Sequence, residues 1–302
     1  MLHLFSLQIF AYQYFKPNLC YFRTPSMLSE NPNFIRTRIS NIYIREYSNI
    51  MTLQQAHLEY VLRMGDNALI LGQRLSEWCG HGPVLEQDIA ITNIALDLMG
   101  QARSLMQYAA ELEDEGRNED QMAFLRDAWD FRNVLLVEQP NQDWAYTITR
   151  QFFFDAFNYY FHRAITQSSD SHLAAIAEKS LKEVTYHLRY SSEWMIRLGD
   201  GTDLSHQKMQ TAVDDLWMFT GELTEMNEVD QIMVEAGIGV DLNAIKPLYD
   251  EKIREILNIA TLQLPTDTWM QTGGKNGRHS EHLGYILADM QFMQRAYPDM
   301  QW

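Results

Sequence analysis

The chain predicts an all-α fold, a ferritin-like four-helix bundle with additional C-terminal helices. Three observations carry this. Four long stretches repeat apolar residues at three-and-four spacing. The breaks within each pair of stretches are short and the connection between the pairs is long, which is two antiparallel hairpins joined by a crossover. Among 302 residues only 8 are Pro and 15 Gly, and no strand pattern, internal repeat or low-complexity linker is present.

Taken in order, the first helix is predicted from about Leu53 to Cys79, with Leu58, Val61, Leu62, Leu69 and Leu75 on one face. Gly80-His81-Gly82-Pro83 breaks it. The second runs from about Leu85 to Glu113 and is apolar nearly all round (Ile89, Ile91, Ile94, Leu96, Leu98, Met99, Leu105, Met106), a pattern expected of a helix buried on most sides. A connector helix is expected over about Glu119–Val137. The third long helix, about Gln142–Gln167, carries Trp144, Phe152, Phe153, Phe157, Tyr160 and Phe161. Ser168-Ser169-Asp170 then offers an N-cap. The fourth covers about Ser171–Leu198 and stops at Gly199-Asp200-Gly201. Beyond it, helices are predicted near Ser205–Thr224, Glu228–Glu235, Asn243–Leu262 and Ser280–Ala296.

A formal net charge of −16 argues against nonspecific nucleic-acid binding, which needs Lys and Arg to neutralise phosphates. Cys20 and Cys79 cannot build a disulfide framework or a cysteine metal site, so a reducing cytoplasm is the default location. No apolar run reaches membrane-spanning length. The first fifty residues differ in character. Lys16, Arg23, Arg36, Arg38 and Arg45 against Glu30 and Glu46 give +3 there and leave −19 to the rest. Residues 1–50 are therefore read as a non-native or disordered leader, with Met51 as the natural start of a helical domain over 51–302. A flexible arm or a targeting peptide is the alternative.

Four acids lie on inner-looking stripes: Asp66, Asp97, Asp155 and Glu183, one on each long helix. Carboxylate-bridged di-metal bundles need an acid from each of two helices and Glu-x-x-His from the other two. Here Asp97 is followed at i+3 by Gly100, and Glu183 by Tyr186. The i+3 histidines are absent, so these six residues read as a degenerate di-metal pocket with neither a metal nor a catalytic residue. Four convergent acids without metal would repel one another, and Arg63, Lys179, His162 and His187 are the nearest candidates to balance them. The opposing reading is a di-iron oxygenase with an oxygen-rich site. Two further groups stand out. Gly273-Gly274-Lys275 before a helix could present amides and an ammonium to a phosphate, such as that of CoA, or serve at an interface. His279 and His282 resemble a metal pair, but a helix cap with surface polar residues is the plainer reading.

Several runs resemble the C-subunit family of phenylacetyl-CoA epoxidase, the ring-1,2-epoxidase of bacterial phenylacetate degradation. They include Leu62-Arg-Met-Gly-Asp-Asn67, Leu96-Asp-Leu-Met-Gly-Gln-Ala-Arg103 and Leu135-Leu-Val-Glu-Gln-Pro-Asn141. The tail from Thr272 to Gly284 and the terminal Gln301-Trp302 add to them, and the resemblance covers Leu53 to Trp302. It implies a ferritin-like subunit that lost its iron ligands, binds no cofactor itself and pairs with a catalytic di-iron A subunit. A small B subunit and a flavin and iron–sulfur reductase complete the implied system. Such a pairing surface should bury roughly 2,000 Å² or more, with the aromatic third helix and the C-terminal loop and helix as candidate faces.

Overall fold

The structure, a computed structural model, describes residues 51–298 and 300. The expectations for residues 1–50 and for Gln301-Trp302 fall outside these residues. Among the described residues the fold is all helical. Four long helices form the bundle: α1 (Leu53–Ser76), α2 (Leu85–Glu113), α5 (Trp144–Ile165) and α6 (Ser171–Gly199). Between the hairpins run α3 (Glu119–Phe124), a 3-10 turn at Ala128–Asp130, and α4 (Leu135–Glu138). After the bundle come α7 (Asp203–Leu216), α8 (Gly221–Thr224), α9 (Glu228–Glu235), α10 (Leu242–Ile259) and α11 (Glu281–Ala296).

The bundle helices begin where a side chain can satisfy free amides of the first turn. Thr52 and Gln55 form a capping box for α1. Asp143 accepts from the amides of Ala145 and Tyr146, and Asp170 accepts from that of Leu173. α2 is the exception, since Val84 has no side-chain acceptor to offer. Asp114 closes α2 in the left-handed conformation at φ 57°.

α1 packs chiefly on α2, and α5 on α6. Two glycines on α1 set how near α2 comes. A Cβ on Gly72 would stand 2.8 Å from the Met99 methyl and 3.4 Å from the Leu98 Cβ, and one on Gly65 would meet Met106 at 3.0 Å. The middle of α5 is enclosed on every side: Phe152, Phe153 and Ile148 are wholly buried, together with Thr149, Arg150 and Gln151. The core continues through Met209, Val213, Leu223, Met233 and Ile253 of the later helices. Of these helices, α7, α8 and α10 pack directly on α5.

Two expectations need correction. The connector is three short pieces, because residues 125–134 turn inward to bury Arg126, Phe131 and Asn133. A continuous surface helix could not bring those side chains inside. α2 is also less buried than its composition suggests, with Leu85 71%, Ile89 51% and Leu96 64% exposed along one stripe.

The packing makes opposite predictions for two glycines of the hairpin. Gly72→Leu overpacks the α1–α2 contact and should cost roughly 1–3 kcal/mol in urea unfolding. Gly100→Ala meets nothing within 4 Å and should stabilise α2 by roughly 0.5–1 kcal/mol. Equal effects of the two changes would contradict the interhelix geometry.

Candidate functional site

The bundle does not gather its four acids at one point. Asp66 is wholly buried and faces the crossover, where both guanidinium nitrogens of the buried Arg126 donate to it, one at 3.1 Å. The backbone amide of Arg132 adds a third donor at 2.8 Å. Arg126 lies 4.3 Å over the Phe131 ring, so its apolar face is covered as well. On the other side, Asp97 is half-exposed and stands 3.0 Å from Nε2 of the buried His187. Glu183 accepts from Gln101 Nε2 at 2.9 Å. Asp155 is buried and accepts from Gln151 at 2.7 Å and from Ser191 at 2.8 Å. Burial pushes its carboxyl up to about 6, against the opposing pull of His187 and of its two hydrogen bonds.

Of the groups named from sequence to balance these acids, His187 does so for Asp97 and lies near Asp155. Arg63 instead bonds Glu59 at 2.7 Å and Asp230 at 3.4 Å. Lys179 is exposed, and His162 is buried with Nδ1 3.0 Å from the Asn158 carbonyl. Burial lowers His162 to about 4, so it is neutral. Arg126, the counter-ion of Asp66, was invisible in the sequence because nothing in its local pattern marks it as inward-facing.

Gly100 and Tyr186, the positions where the motif would place histidines, point outward. Gly100 is exposed with open space around it, and Tyr186 is 40% exposed. The inward positions are one residue further on, Gln101 and His187, at 4% and 0%. One residue turns a helix by about 100°, which separates these faces.

This bundle, with an acid on each long helix and distinctive runs along most of the chain, can be set against known proteins. The family described as "Phenylacetic acid catabolic protein" matches residues 45–302. The chain belongs to this family. A relative from Escherichia coli (strain K12), the C subunit of 1,2-phenylacetyl-CoA epoxidase, is 51% identical over 243 residues, 80% of this chain and 98% of that protein.

Among the described residues no three His, Cys, Asp or Glu side chains stand close enough to hold an ion. Asp66 is committed to Arg126, and the inward residue of α2 is an amide. No helix among the described residues is long and apolar enough to cross a membrane.

The glycine loop also differs from expectation. Its amides do bind an oxyanion, but the oxyanion is Glu222, which is 2% exposed. Glu222 Oε1 accepts from Gly273 N at 2.9 Å and Lys275 N at 3.0 Å, and Oε2 accepts from Leu135 N at 3.0 Å. A Cβ on Gly274 would come within 2.3 Å of the Asn133 carbonyl, which explains the glycine. Lys275 is buried, donating to the Glu225 carbonyl at 2.7 Å. A phosphate has no place here. His279 and His282 do not act as a pair: Ser280 takes the N-cap position of α11, with Glu281 exposed and His282 part-exposed in the first turn, as the cap reading expects, while the His279 imidazole turns inward. His279 is buried, with Nδ1 2.7 Å from Glu138 Oε1 and Nε2 2.9 Å from the Phe131 carbonyl. Both ring nitrogens face acceptors, which calls for the imidazolium. Glu138 also takes Ser280 N at 2.9 Å, Ser280 Oγ at 2.6 Å and Asn133 Nδ2 at 3.2 Å.

These buried ions generate two predictions. Arg126→Met leaves Asp66 charged and unpaired and should cost about 3–5 kcal/mol in urea unfolding, with Asp66→Leu added to it restoring part of the loss. An additive double mutant would deny the pair. For His279, burial lowers its affinity for protons, but the bond and charge of Glu138 outweigh this and raise it above 6.5. Its stabilisation is therefore complete below 6.5 and lost as pH rises through the raised value. Urea midpoints should fall from about pH 6 to about pH 9 in the natural sequence and fall less in His279→Gln. Identical slopes would remove the imidazolium.

Proposed function

We propose that this chain is the non-catalytic structural subunit of a multicomponent phenylacetyl-CoA 1,2-epoxidase, pairing with and steadying a catalytic di-iron A subunit. A B subunit and a reductase would complete the system, in the cytoplasm. The supporting observation is the way the four acids are matched. Asp66 meets Arg126, Asp97 meets His187, Asp155 meets Ser191 and Gln151, and Glu183 meets Gln101. Acids so engaged have lone pairs committed to protein donors. The name of the Escherichia coli relative supports a place within an epoxidase of several subunits.

A structural subunit also needs faces to offer. The aromatic α5, a candidate from sequence, has Phe152, Phe153 and Phe154 in the core and brings Trp144, Tyr159, Tyr160 and Arg163 towards the surface. The outer side of α11 carries Tyr285 at 66% and Phe292 at 62% exposure, and Trp129 of the crossover is 75% exposed. The α2 stripe of Leu85, Ile89 and Leu96 is a second apolar face.

The test is expression of this chain alone and with the A subunit, measuring iron in each chain and epoxidation of phenylacetyl-CoA. Iron should follow the A subunit, and turnover should require both chains. Near-stoichiometric iron in this chain alone, with oxygen consumption, would overturn the proposal in favour of a di-iron oxygenase.

A further inference from the structure

Between α1, α2, α5 and the segments that carry Val134, Leu223, Asp230, Leu242 and Lys275 lies a cavity of about 40 Å³, and none of the four acids lines it. Its apolar wall is made by residues such as Phe154, Phe157 and Leu105, and its polar wall includes Asn67, Gln101, Asn158 and His162. The charged residues at its edge are already matched, Arg63 by Glu59 and Asp230, and Lys275 by Asp230 and the Glu225 carbonyl.

The uncharged residues are not fully matched. Gln101 commits its amide nitrogen to Glu183, which leaves its oxygen as an acceptor. Asn67 commits its oxygen to the amide of Val134 at 2.8 Å, which leaves its nitrogen as a donor. His162 donates from Nδ1 to the Asn158 carbonyl, so Nε2 is a bare acceptor, and among the described residues it has no partner. The side-chain amide of Asn158, 6% exposed, bonds no other described side chain or backbone group. The cavity wall thus offers donors and acceptors together, and the one charged donor among them without a partner, Arg63 Nε, belongs to a guanidinium already paired with Glu59 and Asp230.

From this we propose that this cavity is a binding site for a small cluster of ordered water, held by Asn67, Gln101, Asn158 and His162. A metal ion would be met by amide N–H groups, and an anion by the Gln101 oxygen and the His162 lone pair. Water, small and neutral, both donates and accepts and so answers every one of these groups. A buried water needs two to four polar partners and room for at least one water-sized sphere, and the cavity meets both conditions. Hydration here meets the demand of buried amides that would otherwise lower stability unpaired.

The experiment is a high-resolution crystal structure of the full chain, with an anomalous scan for metals and a second data set under xenon. Expected are ordered solvent peaks within hydrogen-bond reach of Asn67, Gln101 and Asn158, with no xenon and no anomalous signal, since hydrated polar cavities exclude xenon while dry apolar ones admit it. Xenon in the cavity, a metal peak, or featureless density there would each overturn the proposal. Asn158→Leu keeps the side-chain volume and removes both polar atoms. It should delete the solvent peak nearest residue 158 with the helical circular dichroism unchanged, and persistence of that peak would refute the role given to Asn158.

Discussion

The ion pair of Asp66 and Arg126 is the constraint on which the rest of the molecule depends. A carboxylate with no exposed surface is tolerated only beside a matched cation and enough hydrogen-bond donors. Arg126 is itself 4% exposed, so the chain that carries it must come inside with it. The crossover therefore cannot run over the surface as a helix. It enters the bundle as irregular backbone, and buried irregular backbone has amides that no helix satisfies. Three successive needs are met by side chains from elsewhere. Arg132 N donates to Asp66, Val134 N to Asn67, and Leu135 N to Glu222. Glu138, at the end of the same segment, collects His279 and Ser280 from the start of α11. Asp66, one of the acids that suggest a metal site in the sequence, acts here as a staple for the crossover.

The long helices were legible because their burial is periodic, and their caps because Thr52, Asp143 and Asp170 are common first-turn acceptors. α2 (Leu85–Glu113) and α9 (Glu228–Glu235) have the bounds their patterns predict. The connector was not legible, since its course is set by a partner 60 residues away in sequence, Asp66 to Arg126. Local propensity favoured a helix there and the buried charge overrode it. The apolar stripe of α2 was misjudged for a related reason. Composition reports that Leu96 is apolar, and cannot say whether its cover is this chain or another.

The site was legible in its chemistry and not in its geometry. All four acids carry hydrogen bonds to protein groups, but Asp66 serves at the crossover while Asp97 and Asp155 share the neighbourhood of His187 and Glu183 bonds Gln101. Counting i+3 from a motif puts Gly100 and Tyr186 inside, while the helix phase puts Gln101 and His187 there. Glycine and lysine at 273–275 correctly signalled amides arranged for an oxyanion. What the sequence could not show is that Glu222, some fifty residues earlier, supplies the oxyanion from within the chain. A loop's donors can be read locally, and the identity of what they hold cannot.

Buried ionic staples are a poor way to stabilise a bundle, and well-packed apolar replacements are often no less stable. Their advantage lies in directionality. An apolar crossover could settle in several neighbouring registers of similar energy, whereas Glu138 accepts four donors in one arrangement only. That arrangement fixes the start of α11 relative to α4, and Gln291 and Arg295 then bond the carbonyl of Arg126 at 3.0 and 2.8 Å further along the same helix. The exposed Trp129 sits in the turn between Arg126 and Phe131, and the exposed Tyr285 and Phe292 sit on the helix so anchored. The same polar network that occupies Asp66 therefore holds these apolar side chains in a single arrangement. A chain proposed to work by being packed against needs an outer surface of fixed shape, and here the fixing is done from the interior.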